Sequence, residues 1–125
     1  MNESHTITIR SEFDVITARM KVRELARLQG FAITDQARIS LATSSLADTL
    51  GLGRKHQGQI VVECVNNGEE SVGIRVVCTA ARDVDSDLTP ESLKNTGWLV
   101  DNLTVETLPP DDVQVTAVHW APSRR

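Results

Sequence analysis

The chain contains no tyrosine, two phenylalanines and two tryptophans in 125 residues, so any core must be aliphatic. It has only two cysteines, Cys64 and Cys78, at neither a metal nor a redox spacing, which excludes a disulfide framework and a cysteine-based zinc site. Its histidines, His5, His56 and His119, are scattered, with no pair at helical metal spacing. Walker and dinucleotide-binding glycine motifs are missing, and no serine sits in a Gly-x-Ser-x-Gly elbow. No apolar run approaches the roughly 20 residues that cross a bilayer. The opening Met-Asn-Glu-Ser-His lacks the basic start and apolar block of a signal peptide. A cytoplasmic location away from membranes is the expectation, with neither metal nor cofactor.

A length of 125 residues suits one domain, taken as 1–125. Residues 1–55 carry eight Lys/Arg against six Asp/Glu, and residues 56–125 carry five against eleven. These balances of +2 and −6 sum to the net −4 of the chain. Nucleic-acid binding, which needs a concentrated basic surface, is therefore not expected.

The most strongly patterned stretch runs from Phe31 to Leu52 and reads as one amphipathic helix. Thr34 is placed to cap it, and Asp35 puts negative charge at the positive end of the helix dipole. Ile39, Ala42, Leu46 and Leu50 form an apolar stripe, and Gly51 supplies a left-handed stop. Before it, residues 5–11 alternate as a strand with Ile7 and Ile9 inward. Val15, Ala18, Val22, Leu25 and Ala26 then recur at helical steps up to Gly30. Arg19, Arg23 and Arg27 make a basic row on that first helix. Such a row is either a solvated face or a docking edge for an acidic protein.

Gln59–Val65 and Val72–Ala80 read as an antiparallel hairpin turning at Asn67-Gly68-Glu69. The expected register sets Asn66 opposite Glu70, Val62 opposite Ile74 and Ile60 opposite Val76. It separates Cys64 from Cys78 by about 20 Å, so both should be reduced, buried and inert. Asp83, Asp85 and Asp87 alternate like the start of a calcium loop. The later Gly and bidentate Glu are missing, so a solvated acidic loop is expected. Thr89 caps a helix with Pro90 in its first turn, and Leu93 and Val100 lie seven apart on it. Asn102–Leu108 and Val113–Trp120 are the last strands, with His119 expected at a sheet edge.

Phe13-Asp14-Val15-Ile16-Thr17-Ala18-Arg19 and Asp35-Gln36-Ala37-Arg38-Ile39, with Ala42 and Ser44–Thr49, resemble two helices of bacterial anti-sigma-factor serine/threonine kinases. The likeness is to the stressosome switch-kinase type, within the gyrase/Hsp90/histidine-kinase ATPase superfamily. In that family the second helix carries a Glu acting as base and an Asn holding the magnesium of ATP. Here those positions are Ser45 and Thr49. Asp-x-Gly-x-Gly and Gly-x-Gly-x-Gly boxes belong to the family as well. This chain instead runs Ala80-Ala81-Arg82-Asp83 and Asn95-Thr96-Gly97-Trp98, so the lid reads as deleted.

The resemblance implies a Bergerat-type, histidine-kinase-like two-layer α/β sandwich, with helices on one face of a mixed, mainly antiparallel sheet. It also implies a catalytically inactive regulator, without cofactor, in a partner-switching pathway. Its partner would be an anti-sigma-antagonist-type domain, a phosphatase or a related kinase, with Arg19, Arg23, Arg27 and Arg38 as contact candidates. Two alternatives stay open. One is an active ATP-binding kinase in which Ser45, Thr49 and the acids Asp83, Asp85 and Asp87 replace the lost ligands. The other is a structural subunit that homodimerises through a sheet edge or helix one.

Overall fold

The computed structural model describes residues 4–67, 71–81, 90–109 and 111–121. Strand β1 (Ser4–Ile9) leads into helices α1 (Glu12–Leu28) and α2 (Ile33–Thr49). Strands β2 (Gly58–Asn67) and β3 (Ser71–Ala81), helix α3 (Pro90–Gly97), and strands β4 (Asn102–Leu108) and β5 (Asp112–Trp120) follow. One five-stranded sheet has the order β1-β2-β3-β5-β4. The sheet was expected to be mixed and mainly antiparallel, and every pairing between the named strands is antiparallel.

Strand alternation sends Ile60, Val62, Cys64, Ile74, Val76, Cys78, Val115 and Ala117 to one face, where all are buried. α1 covers that face over β1, β2 and β3, and α2 covers it over β3 and β5. The helices contribute Ala18, Val22, Leu25, Ile39, Leu46 and Leu50 to one continuous aliphatic cluster. On the opposite face Arg75 grips Glu63 with two bonds of 3.1 and 3.0 Å, and this pairing raises the arginine pKa.

Both long helices end the same way. Phe31 N–H donates to the Ala26 carbonyl and Gly30 N–H to that of Arg27, with Gly30 at φ 84°. Leu52 N–H likewise donates to Ala47 and Gly51 N–H to Asp48, with Gly51 at φ 69°. This paired stop satisfies carbonyls that a helix end would leave open, and it needs a left-handed residue that glycine adopts without penalty. The residue after each glycine, Phe31 or Leu52, is buried, so each stop also inserts an apolar anchor into the core.

That anchoring corrects the expected start of α2. Helix α2 begins at Ile33 with Ala32 as its cap residue, so Thr34 lies inside the first turn. Only Ala32 separates the buried Phe31 from Ile33, so the chain turns directly from the end of one helix into the next. Gln36 ties this start to the end of α1: its side chain donates to the Phe31 carbonyl at 2.9 Å, while its backbone N–H makes the first intrahelical bond, to Ala32. At the other helix Asp14 accepts from the backbone N–H groups of Arg10 and Ser11, a proper acidic start for α1.

The hairpin register differs from the expected one by two residues. Ile60 faces Cys78, Val62 faces Val76, and Asn66 faces Val72. A slip of two preserves which face each side chain occupies, so the core is unchanged. Cys64 now faces Ile74 and Cys78 faces Ile60, about four residues or roughly 13 Å apart along the ladder. Both cysteines are buried and outside any disulfide. The expected turn at Gly68-Glu69, the acids Asp83, Asp85 and Asp87, and the cap Thr89 lie outside the described residues. Helix α3 closes at Gly97, so Val100 packs in the core from beyond the helix instead of along it.

Burial pushes the Cys78 thiol pKa up to about 12. Thiolate is the reactive form, so its native fraction at pH 8 is only about one in ten thousand. Cys78 is therefore expected to resist maleimide in the folded protein and to react within minutes once urea exposes it, read by intact mass. A second expectation contrasts two glycines. A Cβ at Gly53, whose φ is +84°, would meet the Ser11 backbone at 2.8 Å, whereas one at Gly97 meets nothing nearer than 4.0 Å. Urea denaturation should show Gly53→Ala losing about 1–3 kcal/mol and Gly97→Ala unchanged or slightly stabilised.

Candidate functional site

Helix α2 presents three kinds of surface. Ile39, Thr43 and Leu46 are fully buried beneath it, and Ser44 and Ala47 border α1. Arg38, Ser45 and Thr49, seven and four residues apart, run along the flank turned away from α1. Helix α3 lies against that flank. Ser45 Oγ and the wholly buried Thr96 Oγ1 share a hydrogen bond of 2.5 Å. Thus Ser45, one of the two positions singled out by the resemblance, is engaged by the chain's own third helix. Thr49 is half-buried one turn further on.

A hydroxyl at position 45 cannot act as the carboxylate base that the resemblance assigns there, because an alcohol holds its proton across the physiological range. A hydroxyl at 49 also lacks the amide oxygen expected to hold magnesium. Among the described residues there is no group of three His, Cys, Asp or Glu side chains able to hold a metal. Ser45 and Thr49 therefore do not supply the base and the magnesium ligand that the resemblance expects there, and no chemical step is derived through magnesium–ATP.

The strongest polar constellation was not anticipated. His119, buried on β5, places Nε2 at 2.9 Å from Asp35 Oδ1 on the first turn of α2. Its Nδ1 lies 3.4 Å from Asp101 Oδ2, an oxygen that also accepts the Trp120 backbone N–H at 2.7 Å. Phe31 flanks the imidazole, with ring centroids 6.2 Å apart. The Nε2 contact ties strand β5 to the start of α2, whereas the buried Nδ1, near the turn before β4, makes no hydrogen bond among the described residues. The expected edge position is corrected: β5 lies between β3 and β4, and His119 points into the helix layer. Spacing could not reveal this cluster, because its members are separated by 84 and 18 positions in the chain.

Arg19, Arg23, Arg27 and Arg38 are all exposed, and none forms an ion pair with a described side chain. They do not form one patch. Arg19, Arg23 and Arg27 stay on α1, while Arg38 sits on the far flank of α2 with Ser45. The row on α1 runs beside large exposed apolar side chains: Phe13 (80% exposed), Ile16 (47%) and Met20 (68%). Periodicity marked the buried stripe of α1 and passed over this second one, although its spacing was legible.

A double-mutant cycle on Ser45→Ala and Thr96→Val should return a coupling of about 0.5–1.5 kcal/mol in urea unfolding. Values near zero would mean that the hydroxyls do not hold α3 to α2.

No protein-family profile matches the chain. The chain is 40% identical over 65 residues to the serine/threonine-protein kinase RsbT of Bacillus subtilis, a match spanning 52% of this chain and 48% of that one. The match therefore takes in about half the length of this relative. Among solved structures, the RsbU and RsbW domains of a Mycobacterium tuberculosis protein superimpose with a TM-score of 0.65 at 18% identity. That superposition covers 99% of this chain and 34% of the other, and it establishes a common fold. Helix sequence and architecture together make this chain similar to the anti-sigma-factor serine/threonine kinases, built on the histidine-kinase-like ATPase fold.

Proposed function

We propose that this chain is a catalytically inactive, kinase-like regulator that works by binding another protein in a bacterial partner-switching pathway. The observation that carries the reading is the pairing of a retained scaffold with altered chemistry. The two helices keep their place over the sheet, yet the base and magnesium positions are Ser45 and Thr49, and Ser45 is bonded to Thr96. Phosphoryl transfer depends on positioned ligands and on neutralisation of phosphate charge. This chain's described residues supply neither set.

The partner in this reading is an anti-sigma-antagonist-type domain, a phosphatase or a related active kinase, met in the cytoplasm. The kinase name of the relative supports the pathway class. Among the described residues, no helix is long and apolar enough to cross a membrane, in keeping with that setting. The whole of residues 1–125 acts as one domain in this reading.

Isothermal titration with ATP, with and without magnesium, tests it. No saturable heat in the micromolar range is expected in either condition. Magnesium-dependent micromolar binding would end the inactive-kinase reading.

A further inference from the structure

The exposed side chains of α1 are ordered. Phe13, Ile16, Met20, Arg23 and Arg27 follow one another at steps of three, four, three and four. That spacing keeps all five on one solvent-facing seam, about 21 Å long. The seam is apolar over its first half and cationic over its second. Shallow hollows lie beside both halves, where α1 meets α2. One of about 340 Å³ is bordered by Met20, Arg23, Glu24, Arg27 and Gln36, with Glu24 turned to Lys21, and one of about 170 Å³ is bordered by Val15, Ile16, Ser44 and Asp48 among others.

We infer that this seam seats one helix of a partner protein, running antiparallel to α1, acidic in its first turns and apolar in its last. The inference rests on the protein-binding reading above and specifies the chemistry of its ligand. Exposed large apolar side chains at helical spacing are what a docked helix buries, and the 3–4 step is the pattern by which two helices interlock. Arg23 and Arg27, unpaired among the described residues, would meet acids at the partner's N-terminus, where negative charge also suits the partner's own dipole.

A second copy of this chain fits worse. Pairing α1 with α1 about a two-fold axis sets Phe13 against Arg27 when antiparallel, and arginine against arginine when parallel. The first arrangement sets apolar side chains against charge, and the second matches the apolar halves but opposes like charges, so the better occupant is a different, acidic helix.

The probe is a synthetic helical peptide of about five turns. Glutamates occupy seam positions in its first half and leucines those in its second, and a companion peptide carries lysines for the glutamates. Fluorescence anisotropy is read on the full chain at low and high salt. The wild type should bind the glutamate peptide saturably, and more weakly at high salt. Arg23→Glu with Arg27→Glu should weaken this at least about tenfold and gain the lysine peptide instead. Met20→Asp, at an exposed site, should weaken both by a similar factor without altering the unfolding midpoint.

No saturable binding of the glutamate peptide overturns the inference. So does binding indifferent to the charge reversal or to Met20→Asp, or a wild-type dimer that Met20→Asp dissociates. The ATP titration on the same preparations keeps the two readings apart. ATP binding alongside charge-selective peptide binding would remove the inactive-kinase reading and leave the seam. Silence toward both ATP and peptide would do the reverse.

Discussion

The structure depends on covering one aliphatic face of an antiparallel sheet with a single pair of helices. Ile60, Val62, Ile74, Val76 and Val115 lose all contact with water beneath Val22, Leu25, Ile39 and Leu46. At about 1.5–3 kcal/mol for each fully buried large aliphatic side chain, this layer is the main favourable term available to a chain without tyrosine. The helices can cover the sheet only if each stops on time and reverses. The stops at Gly30 and Gly51 do this, and each then drives Phe31 or Leu52 into the core. Even the irregular start of α2 follows from that requirement, since the anchor of one helix sets where the next begins.

Because the covering layer is the part that must persist, the flank of α2 is where chemistry can change cheaply. Ser45 and Thr49 lie outside the buried stripe, so replacing an acid or an amide there leaves the packing of Ile39, Thr43 and Leu46 intact. Helix α3 attaches at one of these positions, Ser45, through Thr96. The fold alone does not assign an activity. An activity is decided by a few side chains, and on the α2 flank those are Ser45 and Thr49.

The elements were legible where periodicity and stop signals agreed. Gly30 and Gly51 end the helices as anticipated, and Ile9 faces the core as its strand alternation required. The hairpin register was not legible, because alternation has a period of two and tolerates a slip of two without exposing an apolar side chain. The start of α2 was misplaced because a cap-forming residue, Thr34, was weighed without the tertiary demand on Phe31. The helix motif singled out Ser45 and Thr49, and the structure sets both on one flank of α2. The bond to Thr96 joins residues 51 positions apart and could not be read from any local pattern.

By itself, the order of residues determined that the core is aliphatic, that two amphipathic helices precede a hairpin, and that hydroxyls stand where the resemblance expects a base and a magnesium ligand. Local spacing and side-chain type are sufficient for those conclusions. Only the tertiary structure decided that His119 stands between Asp35 and Asp101 in the interior. It alone also parted Arg38 from the α1 arginines and left Phe13, Ile16 and Met20 in water. Those outcomes depend on which strand neighbours which and on which side of a helix meets the sheet, and contacts between distant parts of the chain set both.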